Sequence, residues 1–167
     1  VVSQMKIEIN EGFLSANDQA YATLYAMIVK DALNSMSYPA YLAGLTYDIE
    51  TVSQGFKVLL QGYSEKQLVL LEEVLNKLVS TKIDRKRFVT LKDELLKELA
   101  NKAFDKPYQQ AGRRLKEELM STVWPVEAVL DALVDITPDD LSNWRLEKFA
   151  NVSLEALFVG NIDSAQV

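Results

Sequence analysis

From Leu45 to Gln61 apolar and polar residues alternate on both sides of a Ser53-Gln54-Gly55 turn. Leu45, Tyr47, Ile49 and Thr51 stand against Thr46, Asp48 and Glu50, and Phe56, Val58 and Leu60 stand against Lys57 and Gln61. A period of two fits a strand and not a helix, so residues 45–62 read as a hairpin with one buried face. Leu59 breaks the alternation and is expected under a second layer. Gln4 to Asn10 repeats the pattern, with Met5, Ile7 and Ile9 on one face and Lys6 and Glu8 on the other. Val152 to Val159 is apolar on both faces and reads as a buried strand, of the kind neighbouring units cover.

Between the strands the period changes. A long helix is expected from Asn17 to Met36, capped by Asn17 or Ser15, interrupted at Pro39 and ending before Gly44. Ser64 followed by Gln67 makes a capping box, with Tyr63 stapling onto Leu68 and Leu68, Leu71, Leu75 and Leu78 on one face. Asp84 caps the next helix, Ile83 staples onto Phe88, and Leu91, Leu95 and Leu99 point inward. A third runs from Pro107 to Ser121 with Ala111, Leu115 and Leu119 inward, and Gly112 inside it marks tight helix packing. Val126 to Val134 is a fourth. Thr137-Pro138-Asp139-Asp140 opens a fifth, with proline at the first position, carboxylates on the positive end of the helix dipole, and Ile136 stapling onto Leu141.

The order β-α-β-β, five helices, then β predicts an α+β fold: a largely antiparallel sheet of about four strands, one face covered by about six helices. The 167 residues fit a single domain, able to bury about two thirds of its unfolded surface without staples. No apolar run is long enough to span a bilayer. The net charge of −6 opposes both a nucleic-acid partner and an anionic membrane.

The chemistry is defined by what the chain lacks. It contains neither histidine nor cysteine, which removes thiol catalysis, His-based general acid–base work and the preferred zinc ligands. The pairs Glu72-Glu73, Glu117-Glu118 and Asp139-Asp140 are helix neighbours that diverge by about 100° and do not converge on one ion. No nucleophile elbow and no glycine-rich phosphate loop occurs. Lys82, Arg85, Lys86 and Arg87 read as a solvated first turn, with an anion site as the alternative, and Arg113-Arg114 pairs with Glu117-Glu118 along a helix. Tyr21, Tyr25, Tyr38, Tyr41, Tyr47 and Tyr63 are expected in the core, with a peptide-binding platform as the alternative. Catalytic, cofactor-binding and metal-binding residues are therefore expected to be absent.

Ala43-Gly44-Leu45, the strands around Tyr47 and Phe56, and Gly62-Tyr63-Ser64-Glu65-Lys66-Gln67 follow one another as a helix stop, a hairpin and a helix start. This segment resembles the middle of the pitrilysin/insulin-degrading family of zinc metallopeptidases. The resemblance continues through Lys82-Ile83-Asp84-Arg85-Lys86-Arg87-Phe88 to Leu154-Glu155-Ala156-Leu157-Phe158-Val159-Gly160-Asn161-Ile162, which is nearly the whole chain. It implies the same α+β architecture, in a parent built from four such units that enclose a chamber. The family's His-x-x-Glu-His zinc helix belongs to the first unit, and this chain looks like the third.

The implied role is therefore non-catalytic. The chain forms part of the chamber wall and contacts peptide substrates, its zinc lies elsewhere in the parent, and its partners are the remaining domains of its own polypeptide. No substrate-binding residue carries over. Residues 1–167 then read as a domain cut from a longer protease, with Gly160-Asn161-Ile162-Asp163 as a strand exit and the start of a further helix. The resemblance favours the periplasm, with the cytoplasm as the alternative. The competing class is a free-standing adaptor domain of the same fold with no protease attached.

Overall fold

The computed structural model describes residues 1–10 and 12–161, apart from the side chains of Ser64 and Glu65. Strand β1 (Val2–Ile9) is followed by helices α1 (Ala16–Ala32) and α2 (Asn34–Leu42) and the hairpin β2 (Leu45–Val52) and β3 (Gly55–Gly62). Helices α3 (Ser64–Ser80), α4 (Arg85–Asn101), α5 (Pro107–Leu119), α6 (Val126–Asp135) and α7 (Pro138–Lys148) lead to strand β4 (Val152–Val159), with a short 3-10 turn at Lys102–Phe104. The sheet is antiparallel throughout, in the order β2-β3-β1-β4. The α+β architecture is the expected one.

Register follows the alternation. Ile49, Val58, Met5 and Ala156 lie in one row across the sheet, and Thr51, Phe56, Ile7 and Leu154 in the next. Ile49, Val58, Phe56 and Ile7 are buried under the helices. The opposite face has a charged central row, Glu50, Lys57, Lys6 and Glu155, with Lys57 Nζ 2.9 Å from Glu50, and apolar Leu59, Leu157 and Val159 beside it. The opposite-charge neighbours Glu50–Lys57 and Lys6–Glu155 suit a row that is not packed into a core.

Helix α1 lies at the centre. Ala20, Ala22, Leu24, Tyr25, Ala26, Ile28 and Val29 are all buried and wrap around the helix, as required of a helix covered on every side. It packs against α6, α4, the β2 strand of the sheet and α3. Ser15 caps it, its Oγ accepting from Asp18 N at 3.0 Å, and Asp84 and Thr137 cap α4 and α7 in the same way.

Long side chains from neighbouring helices satisfy helix ends. The Tyr25 hydroxyl donates to Leu78 O at 2.6 Å and Arg145 donates to Val79 O at 2.9 Å, both at the C-terminus of α3. Lys92 donates to Val134 O and Ile136 O, each at 2.8 Å, at the C-terminus of α6. Trp144 Nε1 donates to Asp18 at 3.0 Å, in the first turn of α1. The Tyr25 ring meets Phe56, Trp144 and Phe149 edge-on, with centroids 5.9–6.3 Å apart.

Several details differ from the sequence reading. The first helical stretch divides at Leu33, which is buried, and Pro39 sits inside α2 with Ala43 N still bonded to its carbonyl at 3.1 Å. The interruption expected at Pro39 therefore falls at Leu33 instead, and Pro39 lies within the second helix.

Strand β4 is not buried. It pairs only with β1 and forms the sheet edge, leaving Leu154, Leu157 and Val159 exposed. Apolar residues on both faces specify a strand that can be covered on both faces, and the described residues supply no such cover. Leu59 is half-buried between Asp48 and Gln4 on the face opposite the helices, with no second layer among the described residues.

The capping box expected of Ser64 and Gln67 rests on the Ser64 side chain, which lies outside the described residues. Gln67 accepts from Ser3 Oγ and donates to Val1 O, each at 3.1 Å, so it ties α3 to β1. Ile162 and Asp163 also lie outside the described residues.

Two substitutions test this packing. At Gly55, φ is +148° and an added Cβ would lie 2.0 Å from Ile7 O, so Gly55→Ala should destabilise the chain by about 3 kcal/mol or more in chemical denaturation. Burial pushes the Tyr25 hydroxyl up to about 12, with Arg145 opposing. A raised folded-state value gives stability that is complete below the unfolded value of about 10 and is lost as pH rises towards the folded one. Stability should fall by about 3 kcal/mol over that interval. Tyr25→Phe should remove this component of the decline and cost about 1–2 kcal/mol at neutral pH, because Leu78 O loses its partner.

Candidate functional site

The candidate metal ligands do not converge. Among the described residues no group of three or more Asp or Glu side chains could hold an ion. Asp140 is used at the start of α7, where it accepts from Thr137 N at 3.2 Å, and Asp139 is 3.4 Å from Arg85. Glu117 faces into the domain while Glu118 faces solvent. With no histidine or cysteine, the donor set does not fit zinc.

The basic segment is largely paired. Arg87 forms a two-nitrogen ion pair with Asp31 of α1, which holds that carboxyl below the usual range. Arg85 reaches Asp139 of α7. These contacts fasten α4 to its neighbours and leave Lys82 and Lys86 exposed, too little for a phosphate-tracking surface.

The tyrosines divide into two sets. Tyr25 is fully buried, Tyr21 stacks on Trp144 at 5.7 Å, and the Tyr47 hydroxyl lies 2.7 Å from Ser37 Oγ. Tyr38, Tyr41 and Tyr63, expected in the core, are instead about 70% exposed or more. They surround the end of α2. Gly44 N donates to Tyr41 O at 2.9 Å, and a Cβ at Gly44, where φ is +72°, would sit 2.7 Å from the Tyr63 ring. Tyr63 therefore covers Gly44 and does not bury itself against Leu68. Tyr38 is one turn before Tyr41, and Leu42 is exposed beside them. The short α2 has no buried residue except at its Leu33 boundary, so its rings face outward.

A second departure lies in α5. Ala111, Leu115 and Leu119 were expected inward, yet all three are exposed. The face turned to the domain is polar. Gln110 donates to Ala103 O and Asp105 O, and Arg113 donates to Lys102 O at 3.0 Å and to Asp105 at 2.9 Å. Arg114 reaches Glu117 at 2.9 Å and Glu127 at 2.6 Å. Behind this face is a cavity of about 530 Å³ between α1, the hairpin turn, α5 and α6, lined by Arg113, Glu117, Trp124 and Thr51 among others. Among the described residues Glu117 Oε1 and Trp124 Nε1 have no hydrogen-bond partner. Periodicity identified α5 as amphipathic but carried no sign for which face turns inward.

Against known families, residues 1–132 match the model described as the middle or third domain of peptidase M16. The chain belongs to that family. It is similar to insulin-degrading enzyme of Homo sapiens, 33% identical over 141 residues, covering 84% of this chain and 14% of that protein. The Drosophila melanogaster enzyme of the same name is 35% identical over 143 residues, with shares of 86% and 14%. A peroxisomal insulin-degrading enzyme-like protein of Arabidopsis thaliana is 30% identical over 152 residues, with shares of 90% and 16%. The fold matches the crystal structure of pitrilysin with a TM-score of 0.89 at 17% identity, over 99% of this chain and 18% of that one. The chain thus spans about one seventh of the curated relatives. Among the described residues no helix is long and apolar enough to cross a membrane.

Gly112 lies on the outward face of α5, in helical backbone with no neighbour within 4 Å of an added Cβ. Gly112→Ala should therefore stabilise this chain by up to about 1 kcal/mol, read as a higher denaturation midpoint.

Proposed function

We propose that this chain is a non-catalytic middle domain of a zinc-dependent endopeptidase of the pitrilysin/insulinase kind, and that it helps to enclose and grip peptide substrates. The reading gives catalysis and zinc to another domain of the parent polypeptide. In support, this chain contains no histidine, and so none of a His-x-x-Glu-His site. Its proposed partners are the other domains of its own polypeptide and unfolded peptides. On the likeness to pitrilysin, its proposed compartment is the periplasm.

The observation that carries the peptide-contact role is the exposed aromatic surface of Tyr38, Tyr41 and Tyr63 around Gly44. Tyrosine offers a flat apolar ring and a hydroxyl at small conformational cost. A surface of that kind can hold extended peptides of many sequences, as a protease chamber requires. It also sits where the hairpin and two helix ends fix the backbone, so the rings are presented on a rigid base.

Tyr41→Ala and Tyr63→Ala, each made in the parent polypeptide, should raise KM for an unstructured peptide about 5–30-fold with kcat little changed, the pattern of lost uniform binding. Folding stability should move little, because both rings are exposed. An unchanged KM in both variants would remove the peptide-contact role. A parent that cleaves peptides normally after deletion of this segment would return the adaptor reading to first place.

A further inference from the structure

Helix α5 is attached to its domain by the wrong face for an isolated domain. At 3.6 residues per turn Tyr108, Ala111, Leu115 and Leu119 fall in one stripe, and Gln110, Arg113, Arg114 and Glu117 fall opposite. An amphipathic helix on a folded domain buries its apolar stripe. Here the polar set faces inward, fixed by the bonds from Gln110 and Arg113 to the 3-10 turn and from Arg114 to Glu127. Leu115 and Leu119 remain 58% and 74% exposed, and Phe104 on the adjoining turn is 87% exposed. No residue of α5 is buried.

Rotating the helix to hide the stripe would break these bonds and turn Arg113 and Glu117 out to solvent, leaving Lys102 O and Asp105 without their Arg113 donor. The outward stripe is therefore a built orientation. Its chemistry differs from that of the tyrosine surface around Gly44, because aliphatic and small side chains dominate it, with Lys116 and Glu118 along its two margins. A charge-free centre with a charged border is the anatomy of a dry, lasting interface.

We infer that the outward face of α5, together with Phe104, is the seam by which this domain docks on an apolar surface of another domain of the same polypeptide. This inference rests on the reading of the chain as one domain of a longer protein. Two observations choose that occupant over a second copy or a separate protein. The matched relatives carry this segment as about 14% of one polypeptide, so the remaining length is present in cis. The stripe is also narrow, with only a few side chains where a stable free-standing interface uses about 20–30 residues on each side. A seam this small holds only when tethering supplies an effective concentration near millimolar.

The chain has no cysteine, so single thiols can be introduced cleanly into this segment. Leu115→Cys, Leu119→Cys and the exposed control Lys97→Cys are made in the parent polypeptide and in the 167-residue chain. Maleimide labelling of each thiol is followed by mass spectrometry of its peptide, and peptide cleavage by each unlabelled parent is assayed separately. The expected result is labelling of Leu115→Cys and Leu119→Cys at least tenfold slower in the parent than in the 167-residue chain, with Lys97→Cys equal in both. Equal rates at all three positions would overturn the inference. Slowing in the 167-residue chain that grows with its concentration would assign the face to a second copy, and slowing in the parent only on addition of peptide would assign it to substrate. Either outcome also overturns the inference. Fast labelling in a parent that cleaves peptides and needs this segment for doing so would refute the seam and leave the proposed function standing. Slow labelling in a parent whose cleavage does not need the segment would do the reverse.

Discussion

Tyr25 joins α1 to α3, the sheet and α7 through one side chain. Its hydroxyl closes the C-terminus of α3 at Leu78 O, while its ring lies between Phe56 of the sheet and Trp144 and Phe149 at the end of the helical block. Burying a phenol is favourable only if the ring is enclosed and the hydroxyl has a partner, and this site meets both conditions. Arg145 supports the same helix end through Val79 O. The position of α3 therefore depends on α1 and α7, which are distant in sequence. Lys92 at the end of α6 extends the same device. Helix ends closed by neighbouring helices make the orientation of each element a property of the whole.

Most of the architecture was legible in local pattern. The hairpin at 45–62, the caps at Ser15, Asp84 and Thr137, and the inward leucines of α4 follow from periodicity and side-chain chemistry within a few residues. The departures share one cause, which is that a pattern identifies an apolar face without saying what lies against it. The residues of β4 and α5 have the periodicity of buried elements, yet Leu154, Leu157, Leu115 and Leu119 are exposed. Gln67 bonds Ser3 and Val1, more than sixty residues away, a tie that local pattern does not carry. Tyr38, Tyr41 and Tyr63 belong to a short helix and a turn with too little packing surface behind them to be drawn inward.

These exposed groups separate into surfaces of distinct character. The tyrosines around Gly44 are amphipathic and adaptable, suited to contacts that form and break. The stripe on α5 is aliphatic and bordered by charge, suited to contacts that stay. The sheet face opposite the helices carries the charged row of Glu50, Lys57, Lys6 and Glu155, which is suited to water, and the exposed apolar Leu157 and Val159 towards its β4 edge. On the proposed reading, a domain that encloses substrate within a larger protease uses the first kind to meet the substrate and the second to hold its place.

The account stands most directly on where a peptide touches this domain. Hydrogen exchange can be measured on the parent polypeptide, inactivated at the His-x-x-Glu-His site proposed for it, with and without a saturating unstructured peptide. The account predicts slower exchange on peptide addition at the amides of residues 37–47 and 62–63, which carry or support Tyr38, Tyr41 and Tyr63, with β4 and the helices behind the core unchanged. Unaltered exchange throughout those residues, with the peptide demonstrably bound, would contradict it.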